Sequence, residues 1–112
     1  MSKSFRSVLG AVAATAALAS FAAPVMAQTP WMAQHPRRAQ VDARLRDQDA
    51  RIDRAVREGR IGPDRAAKLH AADQRIREEE RQMASMHGGH ITAREQARLN
   101  AEEDRVSHRI GR

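Results

Sequence analysis

The chain contains no cysteine and no tyrosine. Without cysteine no disulfide staples the fold, even in an oxidising compartment, and no thiol is present to carry a lipid. Both phenylalanines, Phe5 and Phe21, lie within the first 27 residues, and the single tryptophan is Trp31. The rest of the chain therefore has no aromatic platform on which bases stack, and nucleic acid is excluded as an expected partner. Long hydrophobic runs are also missing. The one apolar stretch, Val8 to Ala23, covers 16 residues and is built largely from alanine, short of the roughly 20 that a membrane-spanning helix needs.

That stretch has a different meaning. Lys3 and Arg6 precede it, and Pro24-Val25-Met26-Ala27 follows with small residues at Val25 and Ala27. A positive start, a short apolar segment and a small-residue site are the three parts of a secretory signal peptide, with the cut expected after Ala27. The expectation is a signal peptide over 1–27 and a product released into the periplasm, with no membrane span after cleavage.

Removing Lys3 and Arg6 from the 20 basic residues leaves 18 against 14 acidic ones, a net charge of +4 for residues 28–112. Seventeen of the 18 are arginine and only Lys68 is lysine. Arginine forks pair well with carboxylates and phosphates. Large aliphatic residues are scarce: three Leu, five Ile and three Val in this segment, 11 of 85 residues. So small an apolar supply offsets the ordering cost of the chain with little to spare. Marginal stability, self-association into a homo-oligomer or folding on a partner is favoured over a rigid monomer.

Two segments 30 residues apart look alike. Gly59-Arg60-Ile61-Gly62-Pro63 leads to Ala67-Lys68-Leu69 and Arg75-Ile76; Gly89-His90-Ile91-Thr92-Ala93 leads to Ala97-Arg98-Leu99 and Arg105-Val106. Each reads as the end of one helix and the start of the next. Gly59 and Gly89 suit the left-handed residue past a helix end, and Ile61 and Ile91 suit the apolar staple before a cap. Thr92 with Glu95 makes a capping box. Gly62-Pro63 places proline at the first helical position, followed by Asp64 at the positive helix start. The fold class predicted is all-α: three helices in tandem hairpins, coiled-coil-like, at about 37–58, 63–86 and 93–110. Residues 28–36, with Pro30 and Pro36, are predicted to be a disordered lead-in to a helical domain over 37–112.

Each helix carries a narrow apolar seam: Val41, Leu45, Ile52 and Val56; Leu69, Ile76 and Met83; Leu99, Val106 and Ile110. Such seams suit hairpins and coiled coils. Gln48 interrupts the first, Asp73 and Glu80 border the second, and Glu103 borders the third. Beside a seam, carboxylates fix register where arginines of a neighbouring helix reach them and lower stability where none does. On the outer faces, Asp42 with Arg46, Asp47 with Arg51, Asp53 with Arg57 and Asp73 with Arg77 stand at ion-pair spacing.

No catalytic constellation emerges. Outside the leader the hydroxyl nucleophiles are Thr29, Ser85, Thr92 and Ser107. Thr92 is used as a cap, and adjacent Ser107 and His108 diverge by about 100° on a helix. No phosphate-cradling glycine loop or dinucleotide fingerprint is present, so the expectation is a protein that is not an enzyme and has no cofactor. One cluster has metal-ligating character. His87-Gly88-Gly89-His90 is flanked by Met83 and Met86, and imidazoles with thioethers suit a soft ion such as copper. Two histidines fall short of a closed site, and Met83 belongs to the seam. For the basic residues, an anionic envelope component such as lipid A phosphate is the electrostatic partner of choice.

The mature segment resembles a loose group of small exported helical proteins of proteobacteria, whose helices are joined by turns of the form Gly-x-Leu/Ile-Thr-x-x-Glu. Gly89-His90-Ile91-Thr92-Ala93-Arg94-Glu95 fits that pattern throughout. Gly59-Arg60-Ile61-Gly62-Pro63-Asp64-Arg65 keeps the glycine and isoleucine but not the Thr and Glu. The likeness spans about Val41 to Ile110. It is distantly similar to the Spy/CpxP-like periplasmic stress chaperones, whose helices open with Leu-Thr-x-x-Gln; Ile91-Thr92-Ala93-Arg94-Glu95 departs from that at both ends. The resemblance implies a chaperone-like envelope protein acting on protein clients, and it brings no catalytic residues. Two further functions are weighed beside it: a metal-responsive protein built on His87 and His90, and a self-assembling helical spacer.

Overall fold

The computed structural model describes residues 28–111, so the leader lies outside the described residues. Four helices follow in order: α1 (Pro30–Gln34), α2 (Pro36–Arg57), α3 (Pro63–Ser85) and α4 (Ala93–Ile110), with no strand among the described residues. The fold is all-α, and the three long helices match the expected spans to within a residue. Each of the three packs against the other two, so the hairpins close on one another as a three-helix bundle.

The turns are built from the expected residues. Glu58 ends α2, and Gly59 follows with φ +75°. Gly59 N–H donates to Val56 O at 3.0 Å and Arg60 N–H to Ala55 O at 2.9 Å, the paired bonds of a Schellman stop. After α3, Gly88 and Gly89 both have positive φ, and Gly89 N–H donates to Ala84 O at 2.8 Å. Thr92 and Glu95 form the capping box in full: Glu95 N–H donates to Thr92 Oγ1 at 3.0 Å and Thr92 N–H to Glu95 Oε1 at 2.9 Å.

The lead-in departs from expectation. Thr29 caps a short helix, its Oγ1 accepting from Met32 N–H at 3.1 Å, and Pro30 takes the first helical position. The proline that suggests a break in sequence here starts α1 instead. Trp31 of α1 stacks on His35, ring centroids 4.7 Å apart, and His35 stacks on His90 at 4.6 Å. The Arg38 guanidinium lies 5.2 Å from the Trp31 ring centroid, near enough for a cation–π contact. The short helix is thereby tied to the turn between α3 and α4.

The three seams meet in one core. Val41, Leu45, Ile52, Leu69, Ile76, Leu99, Val106 and Ile110 form one buried cluster, joined by Ile91 and by Ala66, Ala72 and Ala84, with Val56, Ile61 and Met83 partly buried against it. Two large apolar side chains are exposed among the described residues, Trp31 and Met86. No helix of the described chain is long and apolar enough to cross a membrane.

None of the four Asp–Arg pairs spaced within a helix closes, although Arg81 with Glu78 and Arg98 with Glu102 pair within theirs. Other arginines reach acids across interfaces, as expected for a carboxylate beside a seam. Arg38 meets Glu80, Arg77 meets Asp49, and Arg44 reaches Asp104. Arginines also donate to carbonyls of a facing element: Arg37 to Ile91, Arg38 to Gly89 and Arg65 to Arg109. A long guanidinium that reaches an opposing oxygen gains a charge-assisted bond, more than an exposed pair on its own helix offers.

Candidate functional site

The unusual chemistry of the bundle lies inside it. Gln48 of α2, Asp73 and Glu80 of α3, and Glu103 of α4 are all buried, Asp73 and Glu103 with no exposed surface at all. Gln48 stands within its seam as expected, filling the gap between Leu45 and Ile52, whereas Asp73, Glu80 and Glu103 do not border their seams but complete them, Glu103 filling the gap between Leu99 and Val106. Asp73 and Glu80 stand seven residues apart, about 10.5 Å along α3, so the polar strip runs through two turns of the core.

Partners are few. Arg38 Nε donates to Glu80 Oε2 at 2.8 Å. Gln48 Nε2 donates to the main-chain carbonyl of Glu103 at 2.6 Å, leaving its own Oε1 without a donor. Arg44 Nε is 3.7 Å from Glu103 Oε1, and its guanidinium bonds Asp104. Both carboxyl oxygens of Asp73 and both of Glu103 lack any hydrogen-bond donor. A buried carboxylate in that position is strongly disfavoured, and the proton stays on. Burial pushes Asp73 up to about 7, helped by its contact with Asp49. It pushes Glu80 up to about 7, with Asp42 adding to the effect and Arg38 opposing it. Glu103 rises to about 8 through burial; Arg44 opposes, and Asp73, Glu80 and Asp104 reinforce.

Beside this strip stands a polar clamp. Both ring nitrogens of His70 lie 2.9 Å from a carboxylate, Nδ1 from Asp49 and Nε2 from Asp53. Arg77 donates to the second oxygen of Asp49 at 2.7 Å. The two nitrogens point away from each other, so the acids flank the ring instead of converging on a common point.

The residues weighed for a metal site face different ways. Met83 packs against the core and Met86 is exposed. His87 Nε2 lies 3.3 Å from Glu95 Oε2, and the His90 ring rests on His35. His35, which carried no motif in sequence, is the residue that engages His90; its Nδ1 is 2.9 Å from Trp31 O. Among the described residues, no three His, Asp or Glu side chains are grouped as metal ligands. A groove of about 390 Å³ at the other end of the bundle is lined by Asp64, Arg65, Lys68, Leu69 and Arg109, a largely basic rim that suits an anionic group.

Sequence periodicity sets Gln48 in the first seam as an interruption and Asp73, Glu80 and Glu103 at the borders of the other two, not inside the core. The signal available was their register: each stands three or four residues from seam positions on both sides. No protein-family model, curated protein or solved structure matches the chain.

Proposed function

We propose that this is a non-enzymatic, chaperone-like binding protein of the periplasm, one that holds partly unfolded or acidic protein clients by contact. The observation that carries the reading is the composition of the core. An apolar seam of modest size is interrupted in its middle by four polar side chains, three of them acids. Such a core closes with little margin, because each partner-less buried oxygen sets desolvation against the apolar gain. The closed bundle shows clients almost no large apolar surface, so the seam serves them only when the helices part. The surplus of arginine adds attraction for acidic segments and for anionic envelope components at the Arg65, Lys68 and Arg109 groove.

Light scattering of an aggregating model client tests the reading. Purified protein at stoichiometric amounts should slow aggregation under conditions where circular dichroism shows the bundle loosened. A client that aggregates at the same rate with and without the loosened protein would end it.

A further inference from the structure

Three acids are buried where the helices meet: Asp73 and Glu80 of α3 and Glu103 of α4. Neither oxygen of Asp73 nor of Glu103 has a hydrogen-bond partner. A carboxylate so placed is strongly disfavoured, so the protonated form belongs to the closed bundle. Cations near these groups are already engaged. From α2, Arg38 serves Glu80, and Arg44 bonds Asp104 while standing 3.7 Å from Glu103. From α3, Arg77 and His70 both serve Asp49. From α4, Arg98 lies 3.8 Å from Glu102, with Arg105 adding a weaker field there. Neither Asp73 nor Glu103 receives a donor from any helix.

We propose that protons held on the buried acids Asp73, Glu80 and Glu103 latch the bundle shut, and that their loss as the surroundings rise through neutral pH opens it and uncovers the apolar seam. The client-binding role of that seam rests on the function proposed above; the latch itself does not.

The direction follows from linkage. Asp73, Glu80 and Glu103 hold protons in the closed bundle up to about 7, 7 and 8, whereas in an open chain they ionise near the ordinary 3.8 to 4.5. Opening therefore releases protons between those limits, and each one released raises the opening constant about tenfold per pH unit. Glu102 is raised too, by burial and by Glu79. His70 acts in the same sense. Burial lowers it, but Asp49 and Asp53 raise it further, so its clamp is present at acidic pH and lost as pH climbs through its raised value. Interior acids and clamp loosen together.

Urea unfolding followed by circular dichroism tests the latch. The midpoint should fall markedly between pH ~6 and ~8.5, and in the Asp73→Asn, Glu103→Gln double variant it should fall by less than half as much. An unchanged midpoint for the natural sequence, or an equally steep fall for the variant, overturns the proposal. Should the variant not fold, calorimetric unfolding of the natural protein at pH ~6.5, in buffers of different ionisation enthalpy, gives the proton count directly: one or more protons released supports the latch and none overturns it. Client aggregation at the same two pH values separates the two readings. Slowing confined to the higher pH supports both. A falling midpoint with no slowing at either pH supports the latch and defeats client binding. Equal slowing at both overturns the latch as the control on binding.

Discussion

His70 Nδ1 lies 2.9 Å from Asp49 Oδ1 across the α2–α3 interface, and Nε2 reaches Asp53 one turn along the same helix. A neutral imidazole has one N–H, so both contacts are hydrogen bonds only when the ring is charged. Burial works against that charge, and the two carboxylates outweigh it, placing the His70 pKa above the ordinary 6.5. NMR titration of His70 should show this elevation, and Asp49→Asn should bring the value down by more than Asp53→Asn does, because Asp49 is the less exposed partner. A His70 that titrates at or below its ordinary value would contradict the clamp.

Stability should also decline on the acid side, for different groups. Burial pushes Asp49 up, but hydrogen bonds from Arg77 and His70 prevail and hold it below 3.8. Glu95 is held below 4.5, first by the Thr92 backbone N–H and then by His87. Depressed acids contribute stability that is present above their unfolded values and lost as pH falls through the folded ones. The urea midpoint should therefore drop below pH ~4; with the interior acids already lowering it as pH rises above their ordinary values, the maximum lies near pH ~4 to 5. Glu95→Gln keeps the cap's hydrogen bond without the titrating charge, and should remove part of the acid sensitivity.

Gly59 offers a test of the first turn. Its φ is +75°, and a Cβ built there meets no atom within 4 Å. The cost of Gly59→Ala is then conformational alone, about 1 kcal/mol for a left-handed alanine. A urea midpoint equal to that of the natural sequence would mean the Schellman stop relaxes without penalty.

The turns were readable in advance because their information is local. Gly59, Pro63, Thr92 and Glu95 each act within a few residues of themselves, and the helix ends they define are those observed. Local chemistry also hid something: Pro30 counts in sequence toward a disordered lead-in, yet with Thr29 before it the same residue is a helix start. What one helix cannot encode is its rotation against another. Asp73 was spaced for Arg77 on its own helix, but Arg77 turns to Asp49 because α2 presents that acid to it. The same unseen register carries Asp73 and Glu103 from the border of the seams into the core, and sets His90 on His35.

Glu103 offers the most direct test of what the buried acids do to stability. Replacing it by Met keeps the length of the side chain and makes the α4 seam continuous from Leu99 to Ile110. Little is orphaned by the change: Arg44 is one-third exposed and keeps Asp104, and Gln48 donates to the main-chain carbonyl of residue 103, not to its carboxyl. Exchanging a poorly partnered buried ionisable group for an apolar one of similar volume commonly stabilises a fold by about 1–4 kcal/mol. Glu103→Met should therefore raise the urea midpoint, most of all above neutral pH, where the natural side chain is driven to ionise. A loss of stability would assign Glu103 a supporting role in the closed bundle. A gain would mean that the natural chain carries a destabilising acid at its centre, as the proposed opening of the helices requires.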